Sequence, residues 1–367
     1  MNILIAPNSM KGSLNAFDFA DIVEKALLDF SSKFRIRKVP VADGGDLTGE
    51  IIAKALNADR VKMEVKNPVG KKITSQYFIS GKTAIIEMAD ASGMKLIDKN
   101  ELNPLKTSSF GTGELINDAI NKGCGEILLT VGGSATVDGG IGMIQALGFH
   151  FFDENGNELQ GNGNNLRKVT DIFIPKNKVN ISIKIICDVD NPLLGKKGAA
   201  SVFGPQKGAT PDMVVQLENG LKNWADILQT KTGKEITNIA GTGAAGGISM
   251  PLLSFFNAEI VPGADFVLSL LNFEEHVKWA DFVITGEGKL DSQTLSNKAP
   301  FAVSKRAKKE NKPVFAIAGS VEKEAAEAFD GVFSIMNELM TVDFAIKNAA
   351  RLLYDCTFKF ARELDKY

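Results

Sequence analysis

The sequence predicts an α/β protein: a Rossmann-like, doubly wound parallel-sheet domain with a second, mixed α/β domain inserted into it and the active-site cleft between them. Three observations predict it. Short apolar runs alternate with helical periodicities near both ends of the chain, the pattern of parallel strands joined by helices. The middle reads instead as hairpin strands and Asn/Gly-rich loops. The 367 residues also exceed what one compact core usually holds, so two domains are expected.

Residues 3–6 read as a buried strand. Ser13 stands where it can cap the next helix, whose Phe17, Ala20, Val23, Leu27 and Phe30 recur on one face. A second strand is expected at 36–41, and 61–88 reads as hairpin strands with turns at 68–70 and 80–81. Leu115, Ile116, Ala119 and Ile120 form a helical stripe stopped by Gly123. A buried strand at 127–131 leads into a glycine loop from Gly132 and a helix to about residue 147, and 151–180 reads as turns and loops. Late in the chain, strands are expected at 282–285, 314–318 and 332–335, with helices at 274–279, around Val303, and as one long amphipathic element over 342–364. The domains so drawn are 1–60 with 112–148 and 273–367, and 61–111 with 149–272.

Hydrophobic content of 44% and charged content of 23% are ordinary for a globular enzyme. A net charge of -2, with basic residues scattered, argues against nucleic acid and anionic membranes as partners. Three separated cysteines, Cys124, Cys187 and Cys356, fit a reducing compartment, and two lone histidines offer no zinc-binding spacing. With no leader pattern and no membrane-length apolar run, a cytoplasmic protein is expected, as a monomer or a homodimer.

Glycine-rich runs carry the chemical signal. GGSATVDGG at 132–140 follows a strand and opens a helix, so its backbone N–H groups and the helix N-terminus could hold an anion. Gly132, Gly133, Ser134 and Thr136 are the expected contacts. The runs SSFGTGE at 108–114, GTGAAGG at 241–247 and TGEGKLDSQT at 285–294 extend the pattern, with Gly286 and Glu287 as further contacts. No Walker loop, kinase catalytic loop or dinucleotide fingerprint is present. In CDVDNPLLG at 187–195, Asp188 and Asp190 end an apolar strand, where they would share a face. They could bind Mg²⁺ or accept a hydroxyl proton, or form a solvated turn. PVADGGD at 40–46 places Asp43 in a similar setting, and APNSMKGSL at 6–14 brings Ser9 and Lys11 to the end of the first strand. Lys207, Lys289 and Lys298 lie in glycine- or turn-rich loops and are either anion contacts or exposed lysines.

Taken in order, APNSMKGSL, PVADGGD, FGTGELI, GGSATVDGG, CDVDNPLLG, VFGPQKGA, GTGAAGG and TGEGKLDSQTL resemble the bacterial glycerate kinase family, the non-Walker type with two α/β domains. The likeness runs to about residue 320. It implies transfer of phosphate from ATP, with Mg²⁺, to D-glycerate, on the 2-hydroxyl; a kinase for a related short hydroxy acid or a non-catalytic sensor are the alternatives. In that setting, Ser134 and the glycine-loop amides hold the nucleotide phosphates. Asp188 or Asp190 accepts the hydroxyl proton, with Asp190 also the metal contact. Lys11 neutralises the transferred phosphate or the substrate carboxylate. Ser9, Asp43, Lys289 and Asp291 contact the substrate. The chain departs from the family pattern at Asn8, Met10, Leu47, Val137, Lys289, Ser292 and Asn297.

Overall fold

The computed structural model describes residues 1–367 apart from 46, 177–180, 293, 296, 297 and 365–367, so Asp46 of the second motif and the departure at Asn297 lie outside the described residues. Along the chain the strands are β1 (Asn2–Ile5), β2 (Arg35–Lys38), β3 (Asp59–Lys66), β4 (Lys72–Ser80), β5 (Thr83–Glu87), β6 (Glu126–Thr130), β7 (His150–Phe152), β8 (Glu158–Leu159), β9 (Asp171–Phe173), β10 (Ser182–Cys187), β11 (Asn257–Pro262), β12 (Phe282–Leu290), β13 (Val314–Val321) and β14 (Gly331–Ser334). They fall into two compact units, Met1–Asp43 with Pro262–Tyr367, and Gly44–Val261.

The first unit is built on a five-stranded sheet of order β14-β13-β12-β1-β2 in which every neighbouring pair is parallel. Strand alternation sends Ile3 and Ile5 to one face and Leu4 and Ala6 to the other, and each face has its own cover. Ile3, Ile5 and Ile284 pack with Phe19, Val23 and Leu27 of the helix Ala16–Phe30 and with Leu353 and Phe360 of the helix Ala349–Leu364. Leu4, Ala6 and Val283 pack with Leu268, Val277 and Val303 of three other helices. The sheet is therefore doubly wound, as expected.

Three local expectations change. Asn15, not Ser13, caps the first helix by accepting from the Asp18 N–H, while the Ser13 hydroxyl donates to Met10 O. The polar stretch after residue 285 continues β12 to Leu290, because its backbone stays in register with β13 through Lys289 opposite Ser320. The terminal helix is interrupted: Val342–Lys347 and Ala349–Leu364 are separate, with Asn348 between them.

The second unit holds a six-stranded mixed sheet, β11-β10-β6-β5-β4-β3, and a small antiparallel sheet, β8-β7-β9. Strands β5, β6 and β10 run parallel, whereas β3, β4 and β5 form an antiparallel meander. Here the expected domain limits are corrected. The expected limits put 112–148 with the chain ends, but β6 pairs with β5 and β10; 44–60 also fall in the second unit, and 262–272, expected in the inserted domain, fall in the first. The apolar run of β6 reads the same in any buried parallel sheet, and only its partners decide which sheet it joins.

Glycines let strands approach. A Cβ on Gly286 would stand 1.9 Å from Ile317 O of β13, whereas one on Gly125 would meet nothing within 4 Å. Gly286→Ala should force β12 from β13 and lower stability by about 1–3 kcal/mol or more. Gly125→Ala should stay within about 0.5 kcal/mol of the parent. Denaturant unfolding of the two variants checks the contrast.

Candidate active site

In the first unit the strand order reverses between β1 and β12, and a doubly wound sheet binds ligands beyond the carboxyl ends of its strands at such a point. Asn8 leaves β1 with its N–H donating to Gly286 O at 2.8 Å. Its side chain has one orientation that satisfies both ends: Nδ2 donates to Asp43 Oδ2 at 3.0 Å, and Oδ1 accepts from the Ser9 N–H at 2.8 Å. Glu287, one residue beyond Gly286 on β12, is buried, and Thr294 donates to its Oε1 at 2.7 Å. The same Thr294 hydroxyl accepts from the Asp291 N–H at 3.0 Å. Burial raises the Glu287 carboxyl to about 7, against the smaller opposing effects of Thr294 and Lys298, while Asp43 and Asp291 push it further up. A carboxyl poised there can exchange a proton at neutral pH.

The other residues expected in this unit divide. Lys11 is exposed, and its backbone passes Gly288, whose added Cβ would lie 3.3 Å from Lys11 N. Lys289 is exposed and its ammonium bridges Glu322 at 2.7 Å and Asp291 at 3.4 Å, so its charge is already matched by the chain's own carboxylates. Gly286 is placed by strand packing: its carbonyl accepts from Asn8 and it has no room for a side chain. Ser9 and Asp43 stand with Asn8 at the strand ends.

In the second unit the loop after β6 is held from all sides. Gly132 N donates to Gly44 O, Ala135 N to Ser92 O and Gly139 N to Gly246 O, at 2.9–3.1 Å, while Gly133 O accepts from Met94 N. The short helix Ile141–Gln145 that follows already has its anion. Asp138, completely buried, accepts from the Ser109 N–H and hydroxyl, both at 2.7 Å, and from Gly140 N at 3.2 Å. Burial raises its pKa, and these donors oppose the rise. The expectation that backbone amides and the helix N-terminus of this run cradle a phosphate is therefore corrected: several of those donors are spent inside the protein. What the loop leaves available are hydroxyls. Ser134 Oγ accepts from Lys207 Nζ, and Thr136 Oγ1 is buried without a partner among the described residues.

Two other glycine runs are also explained by close approach. A Cβ on Gly111 or Gly113 would come within 2.0 Å of Lys66 O or Met143 O, and one on Gly246 within 2.2 Å of Thr136 O. Asp188 and Asp190 do not share a strand face, because β10 ends at Cys187, where the thiol donates to Val189 O and the chain turns towards Pro192. Asp188 is half-buried and Asp190 exposed. Both raise the pKa of the Cys187 thiol, which burial chiefly drives up to about 12. That thiol is inert at neutral pH.

Of two further buried groups, Glu87 was not expected at a site, and Lys207 stood between an anion contact and an exposed lysine. Glu87, at the end of β5, accepts from Leu47 N and Gly49 N at the start of the helix Thr48–Ala55 and is raised by burial to about 7. Nothing in its surroundings in the sequence, IIEMAD, marks it. Lys207 has 2% of its surface exposed, and its signal was visible: a lysine held between two glycines in GPQKG. Among the described residues no three His, Cys, Asp or Glu side chains gather into a metal cage, and no helix is long and apolar enough to cross a membrane.

Comparison with known proteins agrees with this arrangement. The family model described as the glycerate kinase family matches residues 3–365. A glycerate kinase of Halalkalibacterium halodurans is 43% identical over 96% of this chain and 95% of its own length. The glycerate 2-kinase of Escherichia coli is 42% identical over 95% of this chain and 94% of its own. A crystal structure of a Salmonella typhimurium protein assigned as glycerate kinase 2 superposes with a TM-score of 0.84 at 40% identity, covering 100% of this chain and 98% of that one. With likeness on this scale in both sequence and fold, the chain belongs to the glycerate kinase family.

Proposed function

We propose that this enzyme transfers the γ-phosphoryl group of MgATP to D-glycerate, on the 2-hydroxyl, giving 2-phosphoglycerate. The observation that carries the reading is the end-to-end match to an Escherichia coli relative named as a glycerate 2-kinase. Phosphoryl transfer asks a protein mainly to position two anions, offset their charge and receive one proton. We assign the proton to Glu287, which is buried, held by Thr294 and poised near neutrality. Asn8, Ser9 and Asp43 orient the acid beside it, and Lys11 offsets charge on the transferred group. Asp188 and Asp190 suit Mg²⁺, which needs one or two carboxylates and takes its other ligands from phosphates and water. When bound, the ion would neutralise charge on the nucleotide phosphates. Cytoplasmic location fits the three free thiols and the ATP requirement. The assembly is a monomer or a homodimer.

The first test is ADP release by the purified protein with MgATP and D-glycerate, with the product identified by ³¹P NMR. Release that requires D-glycerate, with phosphate on C2, is expected. Preference for another short hydroxy acid would shift the substrate, and binding of glycerate without turnover would make the protein a sensor.

A base works only when ionised, so kcat/KM should rise with pH up to about 7 and be lost as pH falls through that value. Glu287→Gln should cost about 10²–10⁴-fold in kcat and remove that acidic limb. A variant with the limb intact would assign the proton elsewhere. Asp188→Asn should raise the Mg²⁺ concentration for half-maximal rate by about tenfold or more, measured by metal titration; an unchanged Mg²⁺ requirement would remove Asp188 from the metal set.

A further inference from the structure

Among the described residues, Lys207 is a buried cation that this mechanism leaves unused. It ends the turn Pro205–Lys207, which is fixed by its flanking glycines. A Cβ on Gly204 would lie 2.3 Å from Ala200 O, and one on Gly208, at φ 91°, 2.3 Å from Leu102 O. From there the side chain donates to Ser134 Oγ at 2.8 Å and to Thr136 O at 2.7 Å. An ammonium has three donors, and these account for two. Among the described residues no carboxylate lies within ion-pair distance. Asp138 is the charged group that acts on it, and both Asp138 oxygens are bonded to Ser109 and Gly140. A buried ammonium without a counter-ion is costly, and burial lowers its pKa to about 7. The buried, unpartnered hydroxyl of Thr136 belongs to the residue whose carbonyl Lys207 holds.

We propose that Lys207 is a positioning residue that makes Ser134 a donor to an oxyanion of the reaction, a phosphate oxygen of the nucleotide or the carboxylate of the acid. A hydroxyl that accepts from Lys207 must turn its own hydrogen away from the ammonium, so Ser134 can give it only to another acceptor. The oxyanion then supplies the missing counter-charge, with Thr136 Oγ1 as a second hydroxyl in the same loop. The kinase reading is needed only to say which oxyanions are present. Binding is linked to protonation. An anion raises the affinity of Lys207 for its proton, so above about pH 7 binding takes up as much as one proton, and affinity falls by up to about tenfold per pH unit. Neutral Lys207 could instead accept from Ser134, which withdraws the hydrogen from the ligand.

Calorimetric titration at pH 8, in buffers of differing ionisation enthalpy, tests this on the full chain. ATP, D-glycerate and inorganic phosphate are titrated separately. One of them is expected to bind with proton uptake. Uptake with ATP or inorganic phosphate identifies the phosphate, and uptake with D-glycerate alone identifies the carboxylate. Lys207→Met should weaken that ligand by about tenfold or more and abolish uptake. Lys207→Arg, which stays charged, should recover affinity without uptake, a split that a purely structural lysine would not give. Ser134→Ala, which keeps the lysine, should weaken the same ligand. Wild-type protein that binds these ligands with no proton uptake, or binds none of them, overturns the proposal whatever the variants do. Lys207→Met binding at wild-type affinity also overturns it. D-glycerate-dependent ADP release by the wild type decides the kinase reading separately.

Discussion

A parallel strand cannot return to its neighbour through a tight turn; the chain must cross over, usually as a helix, and re-enter from the same end. That constraint organises both units. It gathers the carboxyl ends of β1, β2 and β12 on one edge of the first sheet, and those of β5, β6 and β10 on one edge of the second. Asn8, Asp43 and Glu287 meet because each sits just past such an end or in its last turns of chain. Glu87, the 132–140 loop and Asp188 occupy the corresponding edge of the other unit. Chemistry that lies hundreds of residues apart in the sequence is thereby reduced to a few strand ends.

The polar groups on these edges are divided between holding the backbone and remaining available. Asp138 belongs to the first class, since a carboxylate buried among Ser109 and Gly140 donors fixes the loop and fills the end of the short helix. Lys289 is matched by Glu322 and Asp291 at the surface, where exposed pairs contribute little, about 0–1 kcal/mol. Glu287 and Lys207 belong to the second class: each is buried with fewer compensating charges than its own charge requires, and both titrate near neutrality.

Much of the fold was legible because its signals are local. Short apolar runs marked β1, β6 and β13, helical periodicities marked their helices, and turn residues marked the β3–β4–β5 meander. Residues 112–148 were misplaced because strand pairing is a long-range choice that an apolar run does not encode. The glycine runs marked the right places but for a mixed reason, since Gly111, Gly113, Gly246 and Gly286 answer to neighbouring carbonyls. Asp188 and Asp190 were read on a strand that stops one residue earlier. Glu87 was missed, and Lys207 stood between an anion contact and an exposed lysine, because burial, which gives each its altered proton affinity, is a property of the packed structure.

The make-up of the first sheet bears on how the molecule is made. Strand β1 pairs with β12, and the bond from the Thr285 hydroxyl to Ala6 O spans 279 residues. During synthesis β1 and β2 therefore emerge long before the strand that separates them from β13. The unit 44–261 lies wholly between, with its own sheet and core, and can fold while the earlier strands wait. Once it is compact, it shortens the effective loop that β1 and β12 must close, which lowers the entropic barrier to joining them. Insertion of one domain into another thus becomes an order of assembly, with the sheet that carries Asn8, Asp43 and Glu287 completed last.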